Sequence, residues 1–96
     1  MSLYVLIGRD GADGVAKRKL HRDAHLANLR PLAEAGRVVY AGPLLDASEQ
    51  PRGSVVVFEA ESLDAARRFA ATDPYVVEGI FASFEVFATK QVFPDA

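Results

Sequence analysis

The longest amphipathic stretch of the chain runs from about Val15 to Ala35. On a wheel of about 3.6 residues per turn, its segment KRKLHRDAHLANLRPLAEAG (Lys17 to Gly36) puts Arg18, Arg22, His25, Leu29, Leu32 and Ala33 on one side. The inward stripe is therefore apolar toward its C-terminal end and cationic toward its N-terminal end. A helix that packs a core with one end and lines a polar pocket with the other has this pattern. A slight roll of the helix, with long polar groups reaching back to water, produces it too. Gly36 is a natural stop, and Pro31 predicts a kink between Asn28 and Pro31.

The other apolar runs are shorter and rich in strand formers. Leu3 to Gly8 (LYVLIG), Val38 to Ala41 (VVYA), Ser54 to Ala60 (SVVVFEA) and Ile80 to Ala88 (IFASFEVFA) each predict a strand. Gly42-Pro43 is expected to end the second of these, and Asp46 to Gly53 to form a polar hairpin loop. Ser62 is a helix cap before Leu63 to Thr72, with Asp64 placed where a carboxylate suits the helix dipole. Asp73-Pro74 is a cap followed by a first-turn proline, which predicts a short helical turn from Pro74 to Gly79. The loop Arg9 to Gly14 holds two Asp-Gly pairs, Asp10-Gly11 and Asp13-Gly14. It lacks the alternating ligands and terminal Glu of a calcium loop, so it is read as a turn.

The element order is β-α-β-β-α-β. It predicts an α+β, ferredoxin-like domain in which one antiparallel four-stranded sheet carries two helices on a single face. The uncovered face should then be polar, yet the strands do not alternate. Leu3, Val5 and Ile7 oppose Tyr4 and Leu6; Val56 and Phe58 oppose Val55 and Val57; Phe81 and Phe87 oppose Phe84 and Val86. A sheet apolar on both sides needs two covers. With no third long helix available, the expected second cover is another copy of the chain, joined sheet to sheet in a homodimeric α+β barrel.

Composition narrows the function more than the fold. With 96 residues there is room for a single domain spanning 1–96. The absence of cysteine removes disulfides, thiolate catalysis and thiolate-bound metals. A net charge of −2 gives no basic footprint for nucleic acid, and a sheet buried in a dimer could not bind RNA through exposed aromatics. No run is long and apolar enough to span a membrane, and the first residues lack the pattern of a signal peptide. A cytoplasmic protein is the expectation.

His25 leads the candidates for chemistry, because imidazole can give or take a proton near neutral pH. Asp73 could orient it while also capping the turn at Pro74, one oxygen for each task. Arg22 could hold a substrate carboxylate, enolate or phenolate with its planar fork. Ser54 could donate a hydrogen bond into the same pocket, and Tyr75 could wall it. Each has a plainer alternative: a core histidine, a helix cap, a solvated arginine, a strand-edge serine and a core aromatic. No nucleophile elbow, phosphate loop, dinucleotide fingerprint or zinc-protease motif is present. His21 and His25 lie one turn apart but lack a third ligand, so no metal is expected.

Taken together, Arg22-x-x-His25-Leu26-x-x-Leu29, Gly36-Arg37, Ala41-Gly42-Pro43, Gly53-Ser54, Glu61-Ser62-Leu63 and Asp73-Pro74-Tyr75 resemble the YciI-like (YCII-related) proteins over nearly the whole chain. The resemblance implies a ferredoxin-like fold of the dimeric α+β barrel superfamily. It implies a His–Asp pair at His25 and Asp73, with Arg22 and Ser54 at pocket positions. One branch of that family is a dehydrochlorinase of a chlorinated hydroxyhydroquinone, and muconolactone isomerases share the fold. The expectation is a small cofactor-free enzyme of lyase or isomerase type. It would move a proton on a small anionic or phenolic substrate, with no nucleic-acid or membrane partner. The rival is a non-catalytic dimeric module that binds a small molecule or a partner.

Overall fold

The computed structural model describes residues 1–95. Its elements are β1 (Ser2–Asp10), α1 (Gly14–Glu34), β2 (Val38–Leu45), β3 (Pro51–Ala60), α2 (Leu63–Thr72), α3 (Pro74–Val77) and β4 (Phe81–Thr89). The strands form one sheet in the order β2-β3-β1-β4, every neighbouring pair antiparallel. This is the ferredoxin-like α+β architecture expected from the element order.

The ladders fix which side chains share a face. Tyr4 pairs with Phe58 and Leu6 with Val56 across β1 and β3, and Leu6 pairs with Val86 of β4. These residues are buried with Leu29 of α1 and with Ala66 and Ala70 of α2, which forms the main core between helices and sheet. Burying a side chain such as Leu6 or Phe58 contributes roughly 1.5–3 kcal/mol. Ser62 caps α2 by accepting the Ala65 N–H at 3.0 Å, and Asp73 caps α3 by accepting the Tyr75 N–H at 2.8 Å.

Three details differ from the sequence expectation. β2 does not stop at Gly42-Pro43 but runs on to Leu45, with Pro43 paired to Ser54. β2 is an edge strand, where a proline need not break the ladder. The hairpin loop shrinks accordingly. Asp46 accepts N–H bonds from Ser48 at 2.8 Å and from Gln50 at 3.0 Å, and its other oxygen accepts from Arg52 at 2.9 Å. A side chain that mimics a backbone turn in this way closes the loop by Gln50. The Gln50 N–H does most to hold the Asp46 carboxyl below its ordinary range. Finally, Phe81 does not share a face with Phe87. A register shift between Arg9 and Asp10 turns Phe81 into a second buried cluster with Tyr75 and Ile80. Gly8 makes room for it, since a Cβ there would collide with the Phe81 ring.

The opposite sheet face is apolar and carries no helix among the described residues, although Gln91 and Phe93 of the tail border it beside Leu3, Val5 and Val57. Val5 lies between Val57 and Phe87 across the ladders. Phe87 and Tyr40 are about half exposed, at 48% and 56%. Leu3, Ile7 and Val55 are only partly buried.

Candidate functional site

The long first helix presents its buried residues at Gly14, Arg18, His25 and Leu29, a stripe with the spacing of one helix face. Leu29 belongs to the core, whereas Arg18 and His25 border a cleft of about 410 Å³ between α1 and strands β2 and β3. A cleft of this size is adequate for a small cyclic molecule. Its walls are Leu26, Leu29, Pro43 and Val56 on the apolar side and Arg18, Lys19, Arg22, His25, Gln50, Ser54 and Tyr75 on the polar side.

His25 Nδ1 lies 2.8 and 2.9 Å from the two carboxylate oxygens of Asp73. Asp73 is fully buried and His25 is 8% exposed. A carboxylate can only accept hydrogen bonds, so Nδ1 carries the proton and donates it. That leaves Nε2 as the other ring nitrogen, with no hydrogen bond among the described residues. The same Asp73 accepts the Tyr75 N–H, so the cap of α3 and the anchor of the imidazole are one carboxylate. The chain brings them together through the α2–α3 junction, where Asp73 ends one helix and starts the next.

Tyr75 covers the imidazole. The two rings stack with centroids 4.0 Å apart and planes 4° from parallel. Its ring also meets Phe81 edge-on at 5.7 Å. Burial pushes the Tyr75 phenol up from its ordinary range, against the opposing influence of Arg18 and Arg22.

Ser54 is 4% exposed on the helix side of β3, opposite Gly8. Its hydroxyl accepts a hydrogen bond from Arg18 Nη2 at 3.1 Å. Arg22, the expected anion-binding residue, lines the cleft but is exposed and takes no part in the buried network. The buried guanidinium is Arg18. It makes a two-pronged pair with Asp10, at 2.7 Å from Nε and 2.9 Å from Nη2. Ala33, expected on the inward stripe, is exposed.

Asp10 and Arg18 were thus missed as members of the site. Arg18 lay on the inward stripe two turns before His25, and a buried arginine demands a carboxylate partner. That demand is the signal the sequence carries for Asp10, which ends β1 instead of lying in the turn expected there. Gly14 also matters here, because a Cβ on it would run into the Asp10 carboxylate. Among the described residues no group of three or more His, Cys, Asp or Glu side chains is placed to hold a metal ion. No helix among them is long and apolar enough to cross a membrane.

Comparison with known proteins agrees with this architecture. Protein YciI of Escherichia coli is 41% identical over 97 aligned positions, which take in 95% of this chain and 99% of that protein. The structure of 5-chloro-2-hydroxyhydroquinone dehydrochlorinase (TftG) from Burkholderia phenoliruptrix, in complex with 2,5-dihydroxybenzoquinone, superposes with a TM-score of 0.83 at 31% identity, over 93% of this chain and 94% of that one. SnoaB, a cofactor-independent oxygenase from Streptomyces nogalater, shares the fold at 15% identity, with a TM-score of 0.56. The YCII-related domain itself matches residues 2–90, and the chain accordingly belongs to the YCII-related family.

Proposed function

We propose that this protein is a small enzyme of lyase or isomerase type that moves a proton on a small anionic or phenolic substrate in the cleft beside α1. The reading is carried by one observation: His25 is anchored through Nδ1 to the buried Asp73 carboxylate while it lines the cleft. Nε2 takes a proton from a hydroxyl or acidic carbon of the substrate. The imidazolium that forms is stabilised by Asp73, and the same nitrogen returns the proton to a different atom or to the leaving group. Such a cycle needs no redox partner. Lys19 and Arg22 form no ion pair among the described residues and lie at the cleft, where they attract an anionic substrate and hold its developing oxyanion. Ser54 supplies a neutral donor, and Tyr75 walls the pocket against the imidazole. The likeness to a dehydrochlorinase of a hydroxyhydroquinone supports a phenolic substrate.

The functional unit in this reading is a homodimer that covers the apolar sheet face around Val5, Val57 and Phe87. The catalytic role is tested by offering chlorinated hydroxyhydroquinones and small enol lactones to the wild type and to His25→Ala, with binding followed in parallel. Turnover by the wild type, with at least a hundredfold loss in the variant and retained binding, supports proton transfer by His25. Equal turnover by both proteins refutes that role. Binding without turnover by either protein makes the cleft a ligand-binding module instead.

A further inference from the structure

The pair Asp10–Arg18 has no part in the proton-transfer scheme, yet it is among the most buried charge in the protein. The side chain of Asp10 is 2% exposed and that of Arg18 is 10% exposed. A buried ion pair gains little net stability once desolvation is counted, so stability alone is a weak account of it.

The neighbours of Arg18 indicate one. Its guanidinium carbon lies 4.9 Å from the centroid of the Tyr75 ring and 5.9 Å from that of Phe81. His25 is stacked on the same Tyr75 ring at 4.0 Å. Arg18 and His25 are separated by seven residues of α1, roughly 10 Å along the helix axis. Both groups nonetheless lie against the one Tyr75 ring, each within 5 Å of its centroid. Tyr75 therefore touches both guanidinium and imidazole, and an aspartate anchors each of them: Asp10 holds Arg18, and Asp73 holds His25. Arg18 also fixes Ser54. A guanidinium has only donors, so the Ser54 oxygen is the acceptor in that contact and its hydroxyl hydrogen is free to point elsewhere. Ser54 lines the cleft, and a donor polarised by a neighbouring cation is a stronger one.

We propose that Asp10 and Arg18 are positioning residues: together they hold the Tyr75 ring in place, and so the stacking of His25, while turning the Ser54 hydroxyl toward the ligand. The imidazole and the hydroxyl then approach a bound molecule from one rigid frame. This adds a supporting layer to the proposed proton-transfer site and rests on that reading for its catalytic meaning. The geometric claim stands by itself.

The test uses the full chain and two variants chosen to remain folded. Arg18→Lys keeps a cation for Asp10 but loses the planar fork. The double variant Asp10→Asn/Arg18→Gln removes both buried charges together. Circular dichroism confirms folding, and proton NMR of the His25 ring is recorded without ligand. The Tyr75 ring current shifts those protons upfield in the wild type. Both variants are expected to lose much of that shift, and the affinity for 2,5-dihydroxybenzoquinone, used as probe, is expected to drop about tenfold. Ser54→Ala is expected to weaken the probe about fivefold and leave the His25 shift in place. The proposal is overturned if either folded variant keeps the wild-type His25 shift. It is also overturned if Ser54→Ala and the double variant bind the probe as the wild type does. Because the ring shift is read in the free protein, a wild type that fails to bind the probe counts against the phenolic-substrate reading, while the shift still decides the positioning claim.

Discussion

Replacing Asp73 separates the structural from the chemical work of one buried carboxylate. In the wild type it accepts bonds from His25 Nδ1 at 2.8 and 2.9 Å and from the Tyr75 N–H at 2.8 Å. Asparagine caps a helix about as well as aspartate, so Asp73→Asn keeps the α3 cap. What it loses is the charge on the bond to His25. Hydrogen bonds to charged groups contribute roughly 1.5–3 kcal/mol, against about 0.5–1.5 kcal/mol for neutral ones. The expected cost is therefore about 1–1.5 kcal/mol. In a domain of this size that lowers Tm by roughly 5–10 °C. Asp73→Ala also loses the cap, so that two buried N–H groups, on His25 and Tyr75, are left without an acceptor, at roughly 1–3 kcal/mol each. The sum of about 2–6 kcal/mol approaches the whole stability expected of a small domain, on the order of 5–15 kcal/mol.

Asparagine carries a second consequence. Its NH2 group can face Nδ1 only if that nitrogen becomes an acceptor, which moves the ring proton to Nε2. The nitrogen assigned as the base is then blocked, and turnover should fall by about 10²–10⁴. Thermal unfolding followed by circular dichroism gives the stability order, and long-range nitrogen–proton NMR gives the tautomer. The reasoning fails if Asp73→Asn melts with the wild type and keeps its proton on Nδ1, or if Asp73→Ala is no less stable than Asp73→Asn.

Three further outcomes follow from other parts of the molecule. The protein should sediment as a dimer of its 10.4 kDa chain, and Val5→Lys on the helix-free sheet face should convert it to a monomer; a monomeric wild type would remove the sheet-to-sheet arrangement. Gly8→Ala should lower stability by about 1–3 kcal/mol, because the new methyl overlaps the Phe81 ring; a neutral effect in urea unfolding would show that Phe81 does not pack there. Burial raises the Tyr75 phenol above its unfolded value, so its contribution to stability is complete below about pH 10 and is lost as pH rises through the folded value. Thermal stability should accordingly fall above about pH 10, and fall less in Tyr75→Phe; identical alkaline profiles would contradict this.

Much of the fold could be read from periodicity, because the elements with clear signals are those that bury one face. The cap at Ser62, the Asp-Pro start of α3 and the two-sided strands β1 and β3 are local patterns with local causes. The missed features depend on contacts distant in sequence. Nothing near Pro43 says that β2 is an edge strand that can carry a proline, and nothing near Phe81 announces the shift between Arg9 and Asp10 that turns its ring inward. Within the site, His25 and Asp73 were nominated from residue type and resemblance, and the fold sets them in contact across 48 positions. Arg22 and Arg18 differ in sequence only by one helical turn. The buried one, Arg18, is the one that pairs with Asp10, the last residue of β1, whose carboxylate lies against Gly14.

The central claim is that His25 offers Nε2 to a ligand in the cleft while Nδ1 stays committed to Asp73. Nitrogen NMR of the His25 ring during titration with 2,5-dihydroxybenzoquinone tests it most directly. The account predicts that the Nε2 resonance moves as the ligand binds, while Nδ1 retains its proton throughout. A ligand that binds and leaves Nε2 unmoved, or a free protein with its proton on Nε2, would contradict it.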